Sequence, residues 1–190
     1  MTVNANGTQA GETTRERILR AAVRKFSTQS YQATGLREIA ADAGVDVAWV
    51  HRSFGSKERL FVESVKSTLD RQIRVATGDR SPVDAMIEDV LRPREEGEVK
   101  PVDIIIRSVS SPEVSRVLKE LATTGFVRPL AEMSPHRSEL RAALVLALLA
   151  GVGIMRNVIG ITALLEAETA EISSLIGRAI GAIDGTSAEG

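Results

Sequence analysis

The chain reads as all-α on three observations. Apolar residues recur at helical spacing along nearly all of it, serine-proline pairs and glycines mark helix ends, and no stretch alternates with the two-residue period of a strand. With 190 residues, 43% of them hydrophobic, it can form one small N-terminal unit and one larger helical domain. Aromatic residues make up only 3%, so aliphatic packing must hold the core. The lack of cysteine excludes disulfides and thiolate metal sites and fits a reducing cytoplasm.

Residues 1–12 contain two glycines and no apolar run, which reads as a flexible lead-in rather than a signal peptide or membrane span. Residues 13–55 then carry three short helices. Ile18, Ala22 and Phe26 repeat at i, i+4, i+8 and give a first helix able to brace the next two. Leu36, Ile39, Ala40 and Ala43 lie on one face of a second, and Gly44 supplies the left-handed residue that stops it sharply. Asp46 suits the N-cap of a third helix, with Val45 and Val50 at the spacing of a hydrophobic staple. Val50 and Phe54 form its buried stripe. Its other face presents Val47, Ala48, Trp49, His51 and Arg52, a mixture that apolar packing does not require. This is the pattern of a helix-turn-helix, whose last helix fits the DNA major groove with its N-terminal residues nearest the base edges.

Residues 56–80 form a connecting helix, capped by Ser56 and striped by Leu60, Phe61, Val65, Leu69 and Ile73. From 81 to 184 the pairs Ser81-Pro82, Ser111-Pro112 and Ser134-Pro135 each announce a helix start. Val83, Met86, Ile87, Val90 and Leu91 stripe the first of these. Pro93 to Pro101 is a polar loop, 102–109 a short apolar helix, and Val114, Val117, Leu118 and Leu121 a further stripe until Gly125 and Pro129 disturb it. The run from Ala142 to Met155 is apolar on every side and needs cover on every side. Its fourteen residues fall short of the roughly 20 that span a bilayer, so no membrane partner is expected. A last broad stripe holds Ile172, Leu175, Ile176, Ala179, Ile180 and Ile183, and 185–190 is a flexible tail.

Charge divides the chain. Before residue 75 there are twelve Lys/Arg against eight Asp/Glu; beyond it, twelve against seventeen, so +4 and −5 make the overall −1. The basic half is the half with the helix-turn-helix, as phosphate binding would require. No phosphate-cradling G-x-x-x-x-G-K, no H-E-x-x-H and no strand-linked G-x-G-x-x-G occurs, and His51 and His136 stand far apart. An enzyme and a bound cofactor or metal are therefore not expected.

At these residues the chain resembles the tetracycline-repressor (TetR) family of one-component regulators. The matching positions are Arg15, Ile18, Leu19, Ala21, Ala22, Phe26, Tyr31, Thr34, Ile39, Ala40, Ala43, Gly44, Val45, Phe54, Ser56, Lys57, Glu58 and Leu60, about 50 residues in all. The chain departs from the pattern with Ser30, Gly35, Asp46, Trp49 and His51. Trp49 is bulky where a small hydroxyl residue is frequent, and Gly35 stands where Ser or Thr usually caps the second helix.

The resemblance implies a cytoplasmic homodimer that binds a palindromic double-stranded DNA operator and is released by a small-molecule effector. Val47, Ala48, Trp49 and Arg52 would face the groove, and Thr34, Gly35, His51 and Lys57 would hold phosphates. An effector cavity in the larger domain would draw on Met86, Ile105, Phe126, Met133, Met155 and Asn157, with Arg107, Arg156 or His136 meeting an anionic group. Occupancy would pull on the helix over 57–77. Leu144, Leu148 and Gly151 would join Ile172, Leu175, Ile176, Ala179, Ile180 and Ile183 in a four-helix dimer interface. Two rival readings are a helical carrier protein with a degenerate helix-turn-helix, and an activator or architectural DNA binder whose cavity is plain core.

Overall fold

The computed structural model describes residues 11–76 and 81–185, the side chains of 70–76 excepted. Most of the lead-in and tail expected at the two ends, and the side chain of Ile73, lie outside the described residues. In chain order the helices are α1 (Thr14–Thr28), α2 (Leu36–Asp42), α3 (Val47–Phe54), α4 (Lys57–Ala76), α5 (Pro82–Leu91), α6 (Pro101–Ser108), α7 (Pro112–Ala122), α8 (Arg128–Met133), α9 (Glu139–Ile154), α10 (Thr162–Glu166) and α11 (Thr169–Asp184). Among the described residues there is no strand.

Local chemistry explains most of the boundaries. Thr13 and Glu16 close a reciprocal capping box on α1, the Thr13 hydroxyl accepting from the Glu16 N–H and the Glu16 carboxylate accepting from the Thr13 N–H. Gly44 adopts φ 65° between α2 and α3, where a side chain would be strained. Asp46 accepts from the Ala48 N–H at 2.7 Å and so starts α3. Ser81 caps α5 by accepting from the Val83 N–H.

Three expectations need correction. Ser134-Pro135 does not open a helix: Ser134 terminates α8, and α9 begins four residues later under Ser138, whose hydroxyl accepts from the Arg141 N–H. Gly125 and Pro129 do not end the stripe of α7, because a π turn over Thr123–Val127 carries the helix directly into α8. The helix that holds the fourteen-residue apolar run is also longer than the run itself. A second π turn, Met155–Ile159, extends α9 to a 21-residue helix from Glu139 to Ile159. Length and composition alone would allow it to cross a membrane. Instead it packs on α5, α8 and α11 with Ala142, Val145, Leu149 and Gly153 buried, and leaves its outer side bare.

There are two cores. The first contains Ile18, Ala22 and Phe26 of α1, Ile39 of α2, Val50 and Phe54 of α3, and Leu60, Phe61 and Val65 of α4. Ile104 of α6 and Val114 of α7 are buried in it as well. The larger domain thus completes the core of the helix-turn-helix. The second core joins Ile87 and Leu91 of α5, Val145 and Leu149 of α9, and Ile172, Ile176 and Ile180 of α11.

A charged clamp fixes the loop between α5 and α6. Arg92 pairs with Glu98 and Asp89, Arg94 with Asp103 through two 3.0 Å bonds, and the buried Lys100 ammonium donates to the Asp89 carbonyl at 2.7 Å. Burial pushes the Lys100 ammonium below the ordinary lysine value, with Asp89 opposing. Burial alone would raise the Glu98 carboxyl, but its bond from Arg92 and its neighbours hold it below the usual range.

Candidate nucleic-acid interface

The first core orients α3 by taking one side of it. Val50 and Phe54 are buried, Val47 is half-buried against the same core, and Ala48, Trp49, His51 and Arg52 are left in solvent. Trp49 is 47% exposed, a large apolar ring with no place in the core. The Arg52 guanidinium lies over it, 4.8 Å from the ring centroid. The opposite edge of α3 is pinned by Arg15, which stacks on Phe54 at 4.6 Å and pairs with Glu63 of α4 at 3.1 Å.

The residues expected on phosphates are placed unequally. Lys57, at the first turn of α4, is half-buried with its ammonium 4.5 Å from the Tyr31 ring centroid and 3.5 Å from the Gln32 carbonyl. Burial lowers its pKa from the ordinary value, opposed by Glu113 and Glu38. Its charge therefore sits at the joint between the turn before α2 and the start of α4. His51 is exposed, its Nδ1 3.5 Å from the Gly55 carbonyl. Gly35 caps α2 through its backbone, with Glu38 Oε2 3.5 Å from its N–H. Thr34 is a correction: at 1% exposure, with its hydroxyl donated to the Ser30 carbonyl at 2.9 Å, it has no side-chain donor to offer a phosphate.

Two further cations, which the sequence reading passed over, are free to meet solvent. Arg24 and Arg37 are exposed and have no ion-pair partner among the described residues. Arg37 lies two residues beyond the Gly35 cap of α2. Their signal was available as unmatched positive charge on short helices.

Behind this surface the Tyr31 N–H donates to the Ser108 hydroxyl at 3.1 Å, linking the approach to α2 with the end of α6 across 77 residues of sequence. Ser108 is fully buried. Ser108→Ala is expected to leave that N–H without an acceptor and cost about 1–3 kcal/mol. Chemical denaturation checks it, and a loss below a few tenths of a kcal/mol would show that the bond holds nothing.

The nine residues expected around an effector do not converge. Met86 flanks the second core, whereas Ile105 packs on the first. The Asn157 amide donates to the Val90 carbonyl at 3.0 Å, tying the π turn after α9 to α5. Arg107 is exposed and bonds its own helix, Met155 is exposed, Phe126 is half-buried in the first π turn, and Arg156 is half-buried with Nη1 enclosed and unpartnered. Met133 alone among the nine lines a cleft of about 180 Å³ between α5, α8, α9 and α11, together with Leu130, Val145 and Asp184. His136 is exposed and stands beside Gly185.

The expected dimer residues also divide. Ile172, Ile176 and Ile180 are corrected from interface to interior, because they fill the second core of their own chain. Leu148 and Ile183 are half-buried against that core, and Gly151 and Ala179 are half-buried. Leu144 and Leu175 remain outside, 48% and 51% exposed. Leu140, Ala143 and Ala147 extend the bare stripe of α9, a set the sequence reading did not single out.

An exposed cationic and aromatic third helix, held by a three-helix brace on an all-helical second domain, defines a helix-turn-helix transcription regulator. Residues 18–63 match the family described as bacterial regulatory proteins, tetR family, and residues 84–183 match the tetracyclin repressor-like C-terminal domain. The chain belongs to the TetR family. A TetR-family regulator from Streptomyces coelicolor is 29% identical over 94% of this chain and 99% of its own, with a TM-score of 0.60. NalD of Pseudomonas aeruginosa, described as the secondary repressor of a multidrug efflux pump, is 19% identical over 88% and 94%, with a TM-score of 0.62. A TetR-family regulator from Rhodococcus is 17% identical over 90% and 98%, at 0.67. No curated protein matches in sequence.

Proposed function

We propose that the chain is a homodimeric repressor that occupies a palindromic operator and leaves it when a small molecule binds the C-terminal domain. The observation that carries this reading is the solvent-facing surface of α3, where Trp49 and Arg52 stand unused by the protein's own packing. One eight-residue helix reads only a few base pairs. Twofold-related copies about 34 Å apart read two successive turns of a duplex. The bare apolar stripe of α9 with Leu175 of α11 is the surface for that pairing.

In this reading Val47, Ala48, Trp49 and Arg52 meet the groove, while Gly35, His51 and Lys57, joined by Arg37, meet phosphates. The effector acts by preferring a wider or narrower spacing of the two α3 helices. A coupling of about 1–3 kcal/mol between the sites changes operator affinity roughly 5- to 150-fold.

Binding to duplexes from upstream of the protein's own gene tests the reading. Arg52→Ala is expected to lower affinity for the chosen site about 5- to 150-fold and to relax its sequence preference. Lys57→Ala is expected to weaken binding to all sequences alike and to reduce the slope of log K against log salt by about 0.9. Equal binding of the wild type and both variants at low salt would rule the surface out. A thermal-shift screen addresses the effector, since a ligand at 100 times its Kd adds about 2.7 kcal/mol to the folded state.

A further inference from the structure

We propose that Trp49 and Arg52 act as one reading unit for a guanine next to a thymine, so that each operator half-site carries a T·A pair adjoining a G·C pair at this position. The inference rests on the DNA-binding reading above and adds what the helix selects.

Trp49 and Arg52 are three residues apart on α3 and so share a face. Both are exposed, and the guanidinium lies over the indole, 4.8 Å from the ring centroid. No carboxylate engages Arg52 among the described residues, and Asp46, the acidic group at the helix start, accepts from the Ala48 N–H. Stacking on a ring occupies the face of the guanidinium plane and leaves its hydrogen-bonding edge open. That edge matches guanine O6 and N7 in the major groove, the bidentate acceptor pair that an arginine fork fits best.

The indole offers something different. It carries one N–H donor and no acceptor, and most of its exposed surface is apolar. The thymine C5-methyl is the apolar feature of the major groove, absent from the other three bases. Ala48 beside it is too small to hold the ring away from the duplex, and Val50 and Phe54 fix the backbone from behind. Base pairs repeat about every 3.3 Å along B-DNA, from a turn of roughly 34 Å holding 10 to 10.5 pairs. The 4.8 Å between ring centroid and guanidinium exceeds one such step, a separation compatible with contacts to adjoining pairs.

The test uses the full-length protein and random-sequence duplexes from which preferred sites are selected, then altered one base at a time. Trp49 is the only tryptophan in the chain, so its emission reports directly on this ring. Removing the methyl by replacing the relevant thymine with uracil is expected to weaken wild-type binding about 3- to 5-fold and to have no effect on Trp49→Thr. Removing N7 with 7-deazaguanine is expected to weaken the wild type about 5- to 150-fold and to leave Arg52→Ala indifferent. Emission from Trp49 should shift on binding the thymine site and shift less on the uracil site. Selected sites with no guanine beside a thymine at a fixed place would overturn the proposal while leaving the regulator reading intact. So would an equal response of wild type and Trp49→Thr to loss of the methyl, which would put the ring against backbone sugar instead. Failure to bind any duplex would end both.

Discussion

Phe26→Ala is expected to lose about 3–5 kcal/mol of stability, as befits a fully buried ring in the N-terminal core. Phe26 is fully buried, meets Phe61 edge-on at 5.1 Å and stacks with Tyr31 at 6.1 Å, while Tyr31 closes the triangle on Phe61 at 5.4 Å. Removing the ring opens a cavity at the meeting point of α1, α4 and the turn before α2, and deprives two other aromatics of a partner. Natural domains hold only about 5–15 kcal/mol in total, so the variant should be partly unfolded at modest denaturant concentrations. A urea titration reads the loss as a lower midpoint at unchanged slope. A loss under 1 kcal/mol would mean that the site collapses onto the gap.

The paired substitution Leu144→Glu with Leu175→Glu is expected to turn the proposed dimer into single subunits and to lower operator affinity at least about 100-fold. Both leucines are about half exposed in the chain itself, so the change costs the isolated fold little. In a twofold interface each substitution occurs twice, and four carboxylates would be driven into an apolar seam where unpaired charge costs several kcal/mol per ion. Sedimentation velocity reports the subunit count, and anisotropy on a full palindrome against a half-site reports the loss of the second grip. A double variant that remains dimeric would move the interface elsewhere. One that becomes monomeric and still prefers the full palindrome would remove the need for a dimer in recognition.

The helix-turn-helix was legible in the sequence because its determinants are local. A stripe at helical spacing, Gly44 and the Asp46 cap lie within a few residues of what they control, and all act as their types suggest. Periodicity identified a stripe on α11 but not which of two adjoining stripes faces inward. Ile172, Ile176 and Ile180 turn in, and Leu175 between them turns out. The serine before Pro135 was misread because the same hydroxyl serves at either end of a helix, and only the chain on each side decides. Thr34 matched a family position, yet its hydroxyl bonds back to Ser30, a choice set by the local turn that the residue type does not reveal. The link from Tyr31 to Ser108 had no local signal at all. The effector site was the least legible part, since apolar residues lining a cavity and apolar residues filling a core have the same chemistry.

Ile104 and Val114 reach from the larger domain into the core behind α3, and this bears on protein engineering. Grafting residues 13–55 alone onto the body of a relative would leave behind Leu60, Phe61 and Val65 of α4 together with these two aliphatic plugs, and strand apolar surface in water. A head exchanged to give a known sensor a new address on DNA should travel with α4, α6 and the start of α7, or with matching apolar residues installed in the recipient. Under the proposed release by an effector, the same plugs would give a mechanical shortcut: a shift of α6 would disturb the packing behind α3 without being relayed along α4.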